Sequence, residues 1–185
     1  MEGPLVKDKV SAMISIRKTY LDLILGDDAE FPTTNIFDGT YKVAWKINDK
    51  QKATLSGLSS LEKLDFVAPN PEPGMPNEMN TSSLAHNQSF QLQSFWYERF
   101  YTNLSIYHAT TTSNFTIGNN MSMDLIGTEV GLREDATFEI LNNHTLAFGF
   151  ETGLNSFRNK GNMPLDPSVV DFNDTTFVLR DIGIK

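Results

Sequence analysis

The chain has 185 residues, no cysteine and a formal net charge of −8. The missing cysteines exclude disulfides, thiolate zinc and iron–sulfur sites and cysteine nucleophiles, and the acidic balance disfavours nucleic acid and anionic lipid, both of which are bound through Lys and Arg. With 13 Phe, 5 Tyr and 2 Trp, the composition favours β structure built on large flat side chains, and the length predicts a single domain over residues 1–185.

No run of about 18 apolar residues is present, so no membrane span is expected. The start, Met1-Glu2-Gly3-Pro4, lacks the basic segment and apolar block of a signal peptide. The expected compartment is secreted, periplasmic or cell-surface if an export signal was removed, and cytoplasmic otherwise.

In chain order, Val6, Val10, Met13, Ile14, Tyr20, Leu21 and Ile24 recur at spacings of three and four, which predicts an amphipathic helix over 5–25 with Pro4 in its first turn and Gly26 at its end. Asp27 to Asp38 reads as a polar connection. Asp38 to Ile47 alternates cleanly, with Tyr41, Val43, Trp45 and Ile47 on one side and Thr40, Lys42, Ala44 and Lys46 on the other, as in a half-buried strand. A turn at Asn48-Asp49-Lys50-Gln51 returns the chain through residues 52–57. Residues 69–89, proline-rich and poor in large apolar side chains, read as a long loop able to act as a lid.

Seven aromatics crowd Phe90 to Tyr107, and the alternation breaks at Glu98-Arg99, which predicts a bulge, bend or corner. Residues 136–141 and 144–150 form the clearest hairpin, about a turn at Asn142-Asn143. A second long loop is predicted over 152–168, and a last strand over 175–185. The fold expected is mainly β: an antiparallel barrel over 39–185 behind an N-terminal helix, with a β-sandwich as the alternative, since both show the same alternation.

Candidates for chemistry are few. His86, His108 and His144 lack the i,i+2 or i,i+4 pairing of a metal chelate, so no metal and no cofactor is expected. His108 shares a face with Leu104 and Ile106 and is the candidate catalytic residue, an imidazole acting as acid or base in an apolar interior if that face is inward. Asp124, Glu129, Glu134, Asp135 and Glu139 are acidic without the spacing of a calcium loop. Seven Asn-x-Ser/Thr sites occur, which fits either a glycoprotein or an Asn- and Thr-rich β surface.

The N-terminal helix, the Gly39-Thr40-Tyr41 opening strand, the succession of strands and Arg180 near the end together resemble the calycin group of lipocalin-like barrels. In that group a Gly-x-Trp on the first strand is covered by an arginine from the end of the barrel. Here Tyr41 takes the Trp position and Arg180 the Arg position. Two patches, Asp38-Gly39-Thr40-Tyr41 and Asp174-Thr175-Thr176, also resemble plastid lipid-associated, fibrillin-type barrels. The resemblance implies closure of the barrel through Tyr41 and Arg180 and an interior that binds a small apolar molecule without catalysis, lined by Tyr41, Trp45, Phe95, Tyr97, His108 and Phe148. The alternatives are a cofactor-independent isomerase or cyclase in the same cavity, and a surface or structural module that binds glycan, a protein partner or a second copy of itself.

Overall fold

A computed structural model describes residues 1–20, 33–68, 76–118, 121–141, 144–166 and 169–184. These residues form nine strands: β1 Glu2–Val6, β2 Val10–Tyr20, β3 Thr33–Lys46, β4 Gln51–Val67, β5 Glu78–Tyr97, β6 Phe100–Ile117, β7 Met121–Leu141, β8 His144–Asp166 and β9 Val169–Ile184. Each strand pairs antiparallel with the next in the sequence, so the order in the single sheet is β1 to β9 without a crossover. Among the described residues no pairing joins β1 to β9, and the sheet is open.

The mainly β, antiparallel expectation is met, and several local expectations are corrected. Residues 2–6 and 10–20 are strands, not the first part of a helix; residues 21–25 of that predicted helix lie outside the described residues. Val10, Ala12, Ile14 and Ile16 also alternate at period two, and pairing with β3 from Val10↔Trp45 to Tyr20↔Asn35 satisfies the backbone groups on that side of the strand, with β1 pairing the other side over Val10–Met13. The predicted loop over 69–89 is strand from Glu78 onward, and the predicted loop over 152–168 is strand through Asp166; residues 69–75, 167 and 168 lie outside the described residues. Neither stretch shows a clear contrast between faces, and each is held as strand by pairing with its neighbours on both sides.

The two predicted hairpins form. At Asn48 to Gln51 the Asn48 side-chain oxygen accepts from the Lys50 N–H at 2.8 Å, the local bond that makes Asn a turn former, and Lys46 reaches Asp49 at 2.6 Å. Ala136↔Phe148 and Phe138↔Leu146 are opposed as expected; Asn142 and Asn143 lie outside the described residues. The break at Glu98-Arg99 is a turn joining β5 to β6, with the register shifting between Phe95 and Tyr97.

Residues directly opposed in an antiparallel ladder carry their side chains on the same face. Following the register from strand to strand, one face holds Val10, Ile14 and Ile16 of β2, Phe37, Tyr41, Val43 and Trp45 of β3, and Ala53, Leu55 and Leu61 of β4. It continues through Leu84, Phe90 and Leu92 of β5, Leu104 and Ile106 of β6, Ile126, Val130 and Leu132 of β7, and Phe148, Phe150 and Leu154 of β8. The other face is hydroxyl, amide, glycine and charge: Thr54 and Ser56, Ser89, Gln91 and Gln93, Asn103 and Tyr107, Glu129, Gly131, Arg133 and Asp135, then Glu151 and Gly153.

Nothing in the described sheet packs on the apolar face. Among the residues whose side chains are described, Ala53, Ser94, Gly131 and Ala136 are the buried ones, while Ile16 is 64% and Phe148 54% exposed. The accessible surface of 13621 Å² stands against about 9,000 Å² for a folded monomer of this mass. This is one layer, where stable domains in water have two or more.

Candidate functional site

The two faces define two sites. On the apolar face the large side chains do not cover the strands end to end. On β8 they run from Leu146 to Leu154 and on β7 from Ile126 to Phe138; beyond them, toward the opposite end, the same face carries Ser82, Asn114, Asp124 and Lys160. These runs correspond to roughly 26–40 Å of strand, or about 20–30 Å in projection at a tilt near 40–45°.

The band also drifts. One rung joins Val10, Trp45, Ala53, Leu92, Leu104, Glu134 and Phe150. From it the apolar residues of β2 extend through Ile16 away from the 98–99 turn, whereas those of β8 extend through Phe148 and Leu146 toward it. A level band therefore crosses these strands obliquely. Trp45, Trp96, Phe100 and Phe138 gather at the end where the connections are 7–9, 47–50, 98–99 and 142–143, and the Trp96 indole N–H donates to Thr102 at 3.0 Å.

Polar side chains interrupt the apolar face, and two pairs of them bond to each other. Ser59 meets His86 at 2.7 Å and Thr110 meets His108 at 3.1 Å, while the buried Nδ1 of His108 has no partner in the structure. Glu134 is the one carboxylate on the rung that carries Trp45 and Phe150.

The depressions of the sheet open on the polar face. The first, about 380 Å³, lies among Met13, Lys42, Ser56, Asn87, Ser89 and Tyr107; another, about 550 Å³, lies among Lys42, Lys52, Gln91, Gln93, Tyr101 and Asn103 and reaches Asp135. Between them the Tyr107 hydroxyl donates to Glu151 Oε1 at 3.3 Å, and Arg133 holds Asp135 through two bonds of 2.6 and 3.0 Å. Partial burial and then the carboxylates of Glu129 and Glu151 push the Tyr107 hydroxyl above its ordinary pKa, because each disfavours a phenolate there. The tyrosine ring occupies the space a side chain at Gly131 would need.

Of the residues expected to line one cavity, Tyr41 and His108 border the 380 Å³ depression, and the register distributes the set over both faces of the sheet. Tyr41, Trp45, His108 and Phe148 lie on the apolar face, with Tyr41 covering Gly57 and Phe148 opposed to Ala136. Phe95 lies on the polar face against Tyr101, ring centroids 5.8 Å apart, and Tyr97 stands at the hairpin end, 78% exposed. Tyr41 is in β3 and the Arg180 backbone pairs with Leu154 in β9, with β4 to β8 between them; the Arg180 side chain lies outside the described residues. The Lys42, Gln91, Gln93 and Asn103 groove was not singled out from sequence, although its members alternate with apolar residues at period two. No group of three or more potential metal ligands occurs among the described residues.

No protein-family model, curated protein or solved structure matches the chain.

Proposed function

We propose that this sheet is part of the wall of a transmembrane β-barrel, with its apolar face against lipid and its polar face toward an aqueous lumen. The observation that carries the reading is the broad, exposed and predominantly apolar face over β2 to β8, backed by a face of hydroxyls, amides and charges. In hydrocarbon every backbone polar group must be paired inside the protein, which leaves strands in closed sheets as the only alternative to helices. Among the described residues no helix is long and apolar enough to cross a membrane, a finding that does not concern strands. The length criterion applied to the sequence was likewise a criterion for helices.

Three features support lipid rather than a second protein layer as the covering. The projected height of the apolar band, about 20–30 Å, brackets the roughly 25 Å of barrel walls. Its oblique drift is that of strands tilted from the membrane normal, and aromatic residues collect at one border, where amphipathic rings sit at headgroup level. The Ser59–His86 pair and the Thr110 bond to His108 Nε2 reduce the cost of polar groups on the lipid side, while His108 Nδ1 stays unpartnered. Glu134, inside the band on β7, costs less there than a lysine or arginine would.

The absence of cysteine makes the test clean. Single cysteines at Leu55, Phe90 and Ile106, and at Thr54, Gln91 and Ser105, are labelled with a fluorophore in protein reconstituted into phosphatidylcholine vesicles containing brominated lipid. Quenching is expected at the first three positions and not at the second three. Equal quenching of both sets, or quenching of neither, removes the proposal.

A further inference from the structure

We propose that the groove on the polar face between β3 and β7 binds an acidic oligosaccharide, a hydroxyl-rich chain carrying carboxylates. Its volume, about 550 Å³, lies within the roughly 300–1,000 Å³ of small-molecule sites. One rung crosses it: Lys52, Gln93, Asn103 and Asp135 are opposed in turn on β4, β5, β6 and β7, a span of about 14 Å over three strand spacings. Gln91 and Ser105 occupy the next rung on this face.

Each element of that lining matches one part of the ligand. A side-chain amide both donates and accepts, as a sugar hydroxyl does, so Gln91, Gln93 and Asn103 present a floor that answers hydroxyls of either orientation. Tyr101, held against Phe95, adds an aromatic surface of the kind that takes the C–H side of a sugar ring while its hydroxyl stays available. Lys46 is engaged with Asp49, whereas Lys42 and Lys52 have no ion-pair partner among the described residues. At the far wall the Asp135 charge is answered by Arg133. The groove is thus net positive in a protein whose net charge is −8, which localises attraction for an anion to this place. A neutral sugar would leave both ammonium groups unanswered.

The proposal stands on the polar face alone and does not require lipid on the other. Its test uses the whole chain refolded in detergent micelles, with trigalacturonate titrated by calorimetry beside maltotriose as the neutral counterpart and glucose 6-phosphate as a phosphate-bearing one. Trigalacturonate is expected to bind, maltotriose at least tenfold more weakly. Lys42→Gln and Lys52→Gln should each weaken trigalacturonate by about tenfold, the size of one lost charge-assisted bond. Circular dichroism of both variants should match the parent, and the cysteine quenching pattern should be unchanged, so failure here and failure of the membrane reading are separate results. Equal affinity for trigalacturonate and maltotriose, binding of glucose 6-phosphate alone, or indifference to both lysine substitutions would each overturn the assignment.

Discussion

Gly131 and Gly57 are glycines because an aromatic ring lies where their side chains would be. Tyr107 covers Gly131 on the polar face, and Tyr41 covers Gly57 on the apolar face; in each case a large side chain on one strand fills the gap left by the absent one on its neighbour. Gly131→Ala forces the Tyr107 ring off its site and should cost about 1–3 kcal/mol, the usual range for overpacking, read as a lowered urea midpoint in micelles. Gly127 has open space around it, and Gly127→Ala should shift the midpoint little. Tyr107 itself gives a pH signature. Its pKa is raised in the folded chain by burial and by Glu129 and Glu151, so the folded state holds the phenolic proton more tightly than the unfolded one. The resulting stability is fully present below the unfolded value of about 10 and is lost as pH rises through the higher folded value. Unfolding midpoints from pH 9 to 11.5 should therefore fall more steeply for the parent than for Tyr107→Phe; parallel curves would show that Tyr107 titrates alike in both states.

At the level of the strand, one substitution reads the face directly. Leu55→Arg places a guanidinium in the apolar band and should reduce folding into vesicles by about 2–4 kcal/mol, while Thr54→Arg, one residue away on the polar face, should be nearly neutral. The strands also show what was legible in the sequence. β3 was plain because Tyr41, Val43 and Trp45 alternate with Lys42, Ala44 and Lys46, so both faces spoke. β5 was not, since Ser82, Ser83 and Ser89 provide no contrast between faces, and its membership is set by pairing with β4 and β6 rather than by its own pattern. Residues 6–16, the end of β1 and most of β2, carry two periods at once: Val6, Val10, Met13 and Ile14 at helical spacing, Val10, Ala12, Ile14 and Ile16 at strand spacing. The long ladder with β3 selected the second. The groove was harder still. Lys52, Gln93, Asn103 and Asp135 are far apart in sequence, and only the register of three successive hairpins brings them onto one rung.

The whole sheet poses a question of solvent. An apolar face this wide, left exposed, would drive association in water, and β1 and β9 present unpaired edges among the described residues, which must be paired for a sheet to reside in lipid. The chain diluted from urea into buffer should accordingly aggregate, and diluted into micelles or vesicles should gain the circular dichroism of β structure. Bilayer thickness then separates lipid contact from a merely sticky surface. A band about 20–30 Å tall matches an ordinary or slightly thin hydrocarbon core, and mismatch costs fractions of a kcal/mol per Å. Folding yield should therefore be highest in vesicles of 12- to 14-carbon phosphatidylcholines and fall in those of 20 to 22 carbons, while Leu55→Arg should lower yield at every thickness without moving the optimum. A yield indifferent to acyl length would mean that the apolar face meets something other than the hydrocarbon core, and the covering would have to be sought in protein.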